Sequence, residues 1–377
     1  MRRAAALLLL AGLVPAGCGG ERPAPAPVPV AWRESALPAD GAIMLRDAAA
    51  CGGSWLVVGA LRDDAGGTRP ALWASTDGTT WQPRRMHPRT FYGEQNVLSA
   101  VTCRAGAGAA VGAKSGGMHG NPRVSSWRAA GGDWAEVPGE FQLFGGPDAV
   151  NVGRVAAGPR GFLITGNRVS GAAVWRSPDA SAFTLVEGAP GLASDAAGAT
   201  WAYDGVAAPG GWLVVGAVRP PGRTDRDALG WRSADGSAWS RVPVAGGPGP
   251  AEMQRVAVSP AGRPLAAGVA GDVFRAWRLD GDAWRPAGSF GAVRRAGIAA
   301  VTSLTAVGDR WFAMASDGVG YGLWMSSDDG AHWAPVVLPA LPAPGAQTTA
   351  LVAGDAARLL LIVDDGTRGR LLSAPPG

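Results

Sequence analysis

The stretch "WASTDGTTW" (73–81) places a Ser, an Asp-Gly pair and a second Trp behind a leading Trp. It recurs as "WRSADGSAW" (231–239) and "WMSSDDGAHW" (324–333). Self-similarity at a fixed period marks a repeat architecture, so the register of these clusters decides the fold. Aligning on the leading Trp gives Trp73, Trp127, Trp175, Trp231, Trp277 and Trp324, spaced 46 to 56 residues apart. Each is followed by a turn and a second aromatic: Trp81, Trp134, Phe183, Trp239, Trp284 or Trp333. Upstream lie apolar segments such as "WLVVGA" (55–60), "FLITG" (162–166) and "WLVVGA" (212–217), and before them runs such as "LSAVTC" (98–103) and "QRVAVS" (254–259). One unit is therefore four short strands, first to fourth in chain order, with no helical-period segment of useful length.

Four-strand units of this length, repeated radially, predict an all-β fold: a seven-bladed β-propeller of four-stranded antiparallel blades. Six units are complete. A seventh runs through "TALVAG" (349–354), "RLLLIVDDG" (358–366) and "GRLLSA" (369–374), with no fourth strand after it. The missing strand is at the other end, where "WRESALPA" (32–39) matches "WAPVVLPA" (333–340). The last blade is thus expected to be closed by the N-terminal strand, which removes open sheet edges. The tryptophans fall at fixed places in this register, on second, third and fourth strands, and are expected to fill the space between sheets. Trp201 alone falls outside it.

Composition agrees. Among 377 residues are 58 Gly, 30 Pro and 16 Trp, which suits short strands and turns. The net charge is only +4, Lys114 is the sole lysine and no basic run exists, so nucleic acid is excluded as a partner. Arg2 and Arg3 precede "AAALLLLAGLV" (4–14) and "PAGC" ending at Cys18. This resembles a bacterial lipoprotein signal, with 1–17 removed and Cys18 acylated; the alternative is an ordinary secretory signal. Residues 18–29 are a Pro-rich tether and 30–377 the propeller. The location implied is extracytoplasmic and lipid-anchored, or else secreted, with the membrane met only through the lipid. Cys51 and Cys103 hold the same place in consecutive units, which favours a disulfide between them over two buried thiols.

The recurring turn resembles the Asp-box, or BNR repeat, of the sialidase-like propeller superfamily, which reads Ser-x-Asp-x-Gly-x-x-Trp. Ser326, Asp328, Gly330 and Trp333 fit it in full; 75–81 and 233–239 are one residue shorter; "SPDASAF" (177–183) loses the Gly. The resemblance implies turns on the rim, away from any active site, with Asp and Ser tying down the backbone and Gly at positive φ. A sialidase-like glycoside hydrolase is the enzymatic alternative. It needs an arginine triad, and a Tyr nucleophile beside a Glu, for which Tyr92 and Glu94 are the only close pairing. No other catalytic pattern is present, and His87, His119 and His332 lack ligand spacing, so catalytic residues, metal and cofactor are all read as none.

Ligands are expected on the opposite face, where the repeats diverge. Its candidates are Arg62, Arg69, Arg89, Tyr92, Glu94, Lys114, His119, Arg123, Arg168, Trp201, Tyr203 and Asp204. Arg forks and aromatic faces suit a polar or anionic ligand. The reading is a monomeric, non-catalytic binding module for an envelope protein, a peptide or a glycan.

Overall fold

A computed structural model describes residues 25–104, 106–116, 121–246, 250–294 and 296–375. Cys18, the signal segment 1–17 and His119 lie outside the described residues.

Seven antiparallel four-stranded sheets form a ring. Their innermost strands are Ala42–Ala50, Val97–Arg104, Ala149–Gly158, Ala199–Ala208, Ala251–Val258, Ala299–Val307 and Thr349–Gly354, for blades one to seven. Blade seven is sewn from both ends of the chain as expected: Arg33–Ser35 pairs with Gly369–Ala374, Arg33 opposite Ser373. Turns between first and second strands, and between third and fourth, lie on one face, called here the turn face. Second-to-third loops and the connections between blades lie on the other, the loop face.

The tryptophans pack as their register requires. Trp73, Trp127, Trp175, Trp231 and Trp277 are essentially without solvent contact. Each reaches a neighbouring sheet: Trp277 and Trp284 pack on Leu213 and Val215 of blade four, Trp127 and Trp134 on Val58 and Leu72 of blade one. Trp81, Trp239 and Trp333 sit in the turn just ahead of the fourth strand, not on it. There Trp239 and Trp333 donate from Nε1 to the Gly236 and Gly330 carbonyls, at 3.1 and 2.9 Å.

The innermost strands are stitched to one another. Six of them carry a bulge, beside which a side chain or neighbour reaches the next blade. Asp47 Oδ2 accepts from Val101 N (2.9 Å), Asp204 Oδ2 from Val256 N (3.1 Å), Gln254 Oε1 from Val301 N (2.8 Å) and Ser303 Oγ from Val352 N (2.8 Å). Asn167 and Asp364, on second strands, do the same for Ala202 N and Leu45 N. Each bond satisfies a main-chain donor that faces the adjoining sheet rather than its own ladder. Cys51 and Cys103 form a disulfide between blades one and two on the turn face, with Cα atoms 5.6 Å apart.

Three blades carry an added segment outside their fourth strand, all running parallel to it. Met86–His87 pairs with Trp134 and Ala135, Val244 bridges Trp284, and Val28 bridges Val336. Val28 belongs to the Pro-rich stretch, so that stretch joins blade six before Arg33 enters blade seven.

Candidate functional site

The turns come first, because they fix which face to leave aside. In 75–81, Asp77 Oδ1 accepts from Thr79 N and Thr80 N, both at 2.7 Å, and Ser75 Oγ accepts from Gly78 N at 2.8 Å. Asp235 and Ser233 repeat this with Ser237 N and Gly236 N, and Asp328 and Ser326 with His332 N and Gly330 N. Gly78, Gly236 and Gly330 all have positive φ, between 68° and 82°. In the copy that lacks glycine, Ala180 takes that conformation at 61°. These hydrogen bonds hold Asp77 and Asp235 far below the ordinary carboxylate range. Their carboxylates are used within the turn.

The loop face is built differently. Among the described residues, eight large apolar side chains are exposed, and all lie in loops or connections of this face or where an innermost strand begins: Phe91, Tyr92, Phe141, Val150, Val169, Ile298, Val319 and Val337. The first five belong to blades two and three or the connections into them. Phe91 and Tyr92 lie on a single helical turn, Phe91–Glu94, capped by Thr90, whose Oγ1 accepts from Gly93 N at 2.9 Å. Glu136 anchors that turn from the fourth strand of blade two. It is 2% exposed and accepts from Arg89 N (2.7 Å), Thr90 N (2.9 Å), Thr90 Oγ1 (2.7 Å) and Ser125 Oγ (2.7 Å). With the carboxylate satisfied below, the aromatic rings are held out to solvent.

Arg123 enters between them from the third strand of blade two. Its guanidinium lies 4.5 Å from the centre of the Phe141 ring and 5.5 Å from that of Tyr92. Its Nε is shielded from solvent and meets no acceptor among the described residues. A cavity of about 240 Å³ opens beside it, lined also by Thr90, Pro122, Glu140 and Phe144. Stacked rings plus an unused donor suit a segment offering a carboxylate or carbonyl next to apolar groups.

The other candidates sort by what holds them. Arg168 is buried, with Nε on Glu187 at 2.8 Å and Nη1 on the Gly145 carbonyl at 2.8 Å. Arg62 bonds the Gly366 and Thr367 carbonyls across the closure, and Arg69 pairs with Asp40. Arg89 and Glu94 are exposed, and Lys114 is half-buried. Tyr92 and Glu94 open onto different cavities, Glu94 facing one on the outer side of blade one with Arg69, Arg84 and Arg85. Arg123 is the one arginine lining the cavity beside Tyr92. The pairing a sialidase-like site requires is therefore not assembled there.

Trp201 and Tyr203 lie together at the loop-face end of blade four's innermost strand. The Arg226 guanidinium lies 5.8 Å from the Trp201 ring, and Arg226 bonds Glu252 at 2.6 Å, which also accepts from the Tyr203 hydroxyl at 2.9 Å. Burial, reinforced by Glu252, pushes the Tyr203 hydroxyl well above its ordinary range. Asp204 is turned away, into the axial channel. There Arg154 bonds Asp47 at 2.9 Å and lies 3.7 Å from Asp204. Asp47 holds Arg154 firmly charged, whereas burial dominates at Asp204 and raises its carboxyl. Burial, and then Arg154, lowers Arg255 to about 10. This network, from blades one, three, four and five, caps a channel cavity of about 280 Å³ lined chiefly by small residues such as Ala48, Ala157 and Gly354.

Phe91, Phe141, Arg226 and Glu252 are absent from the sequence-derived candidates. For the two phenylalanines the available signal was an aromatic in a connection with no counterpart in other units. Arg226 and Glu252 had none, since either is an ordinary loop residue until the strands are placed.

No protein-family model matches the chain. No curated protein matches it either. Solved structures match over most of its length. The structure described as "YCF48 bound to D1 peptide" has 14% identity and a TM-score of 0.52, over 93% of this chain and 98% of that one. YCF48 from Cyanidioschyzon merolae has 15% identity and the same score, over 92% and 99%. Puromycin hydrolase has 14% identity and a TM-score of 0.52, over 90% of this chain and 53% of its own. At these identities the likeness is one of fold: the chain is similar to β-propellers of diverse activity.

Proposed function

We propose that this protein is a lipid-anchored, extracytoplasmic binding module that holds an extended peptide segment of an envelope protein on its loop face. The observation that carries the reading is that five of the eight exposed apolar groups lie in or beside blades two and three on that face, two of them, Tyr92 and Phe141, under the guanidinium of an arginine with an unused donor. Exposed apolar patches rimmed by polar groups mark interaction sites. Aromatic and Arg anchors carry most of the energy in such contacts. YCF48, a propeller of the same architecture, has been solved with a peptide, which supports peptide capture over glycan capture. We read the chain as a divergent Asp-box propeller acting as a monomer, and Cys18 as the acylated residue. The support is the turn chemistry and the N-terminal sequence.

The test is a pull-down from envelope extract with mature wild-type protein, followed by peptide arrays of the captured partner. Phe141→Ala and Arg123→Ala should each lose the partner, whereas Asp235→Ala on the turn face should keep it. Equal capture by all variants would overturn the reading, as would turnover of a fluorogenic sialoside by the wild type. Palmitate labelling that disappears in Cys18→Ala supports the anchor; an unlabelled wild type refutes it.

A further inference from the structure

The exposed rings on the loop face have two readings of different class: a protein-docking surface, or residues that dip into a bilayer. The direction in which the chain enters the propeller separates them. Val28 pairs in parallel with Val336, through Val28 N to the Pro335 carbonyl (2.8 Å) and Val337 N to the Val28 carbonyl (2.9 Å). The fourth strand of blade six, Ala334–Val336, leaves the turn at 326–333 and climbs toward the loop face. A parallel neighbour climbs the same way. Pro25, Ala26 and Pro27, all exposed, therefore approach Val28 from the turn-face side.

We infer that the propeller stands on the bilayer by its turn face, and that the loop face is presented outward to a partner in the aqueous space rather than to lipid. The inference rests on Cys18 being the anchor, as proposed above. The nine residue-to-residue steps from Cys18 to Pro27 reach about 28 Å if extended as a Pro-rich spacer. Pro25 and Pro27, each fixed in φ by its ring, favour a straight approach to Val28 over a reversal that would bring the loop face down. The turn face suits such a place. Phe91, Phe141 and Ile298, the side chains able to enter an acyl layer, are all on the other side. The turns on this one carry acidic residues, Asp77, Asp179, Asp235, Asp282 and Asp328, which keep it from inserting.

The experiment places the lipidated full chain in vesicles whose headgroups carry an energy-transfer acceptor. A donor dye is attached either at Thr76→Cys, on the turn face, or at Val169→Cys, on the loop face; both positions are exposed. Stronger quenching from position 76 is expected. Stronger quenching from position 169 would overturn the inference, and so would vesicle binding that falls in Phe91→Ala or Phe141→Ala. If palmitate labelling shows that Cys18 is not acylated, a hexahistidine tag in place of 1–18, on nickel-chelating vesicles, tests the direction of entry alone. Stronger quenching from position 169 in that form refutes the strand-direction argument itself.

Discussion

At the scale of single residues, the chain shows two uses of a carboxylate. On the turn face, Asp235 closes a turn at the surface. Its replacement by Ala should cost about 1 kcal/mol through the lost turn bonds. Gly236→Ala tests the backbone separately. The site has φ +82° and a new Cβ would meet Leu163 and Trp212 no closer than 3.5 Å, so the cost is conformational, about 1–2 kcal/mol. Thermal melting checks both, and an unchanged midpoint in either would remove the role assigned here. Glu136 is buried and holds four donors, so truncation leaves those donors unpaired. Glu136→Ala should lower stability by roughly 2–3 kcal/mol and release the Phe91–Glu94 turn. Loss of partner capture below the melting transition, measured by pull-down, is the expected consequence for the aromatic site.

At the scale of elements, the strands and their order were legible, because a 46–56-residue period with Trp at fixed places leaves little freedom in register. Closure of blade seven followed from the likeness of 32–39 to 333–340. The outer segments at 86–87, 244 and 28 were not legible: one or two paired residues leave no alternating pattern to read. The candidate site was legible only in part. Tyr92 and Arg123 were named, but Phe91 and Phe141 were not, since the cluster is assembled from three non-repeating segments that meet only once the blades stack. Trp201 stood out by its lack of a repeat duty, and it does lie on the loop face, yet its partner Arg226 is visible only in three dimensions. The closure makes a prediction at this scale. Removing residues through Pro27 should leave the melting transition nearly unchanged, because Pro25, Ala26 and Pro27 pair with no strand. Removing them through Ser35 deletes blade seven's outer strand and exposes the edge of Gly369–Ala374. A large fall in the melting midpoint, with aggregation, is expected only for the second truncation.

For the whole molecule, stability depends on keeping seven similar sheets locked in one ring, and two chemical conditions act on that lock. Reducing Cys51–Cys103, which span 52 residues, should remove about 4 kcal/mol on the chain-entropy account while leaving the fold intact, since the stitch from Asp47 to Val101 joins the same two blades. Calorimetry with and without reductant measures it. Acid acts all round the ring. The Thr367 hydroxyl, then the main-chain N–H groups of Arg368 and Thr367, hold Asp365 down to about 2, and the turn carboxylates Asp77 and Asp235 are held lower still. A carboxylate whose folded pKa lies below its unfolded value of 3.8 contributes stability that is complete above that value. The contribution fades as protons are taken up on the way down through the folded pKa. Asp204, raised by burial, works in the opposite sense and gains stability as it takes up its proton, so the melting midpoint should not fall between neutral pH and about 4, and from there the turn carboxylates should bring it down toward 2. The slope should be shallower in Asp77→Asn/Asp235→Asn, which has two fewer protons to bind on unfolding. An acid profile unchanged by that double substitution would show that the turns are not where the ring is acid-labile.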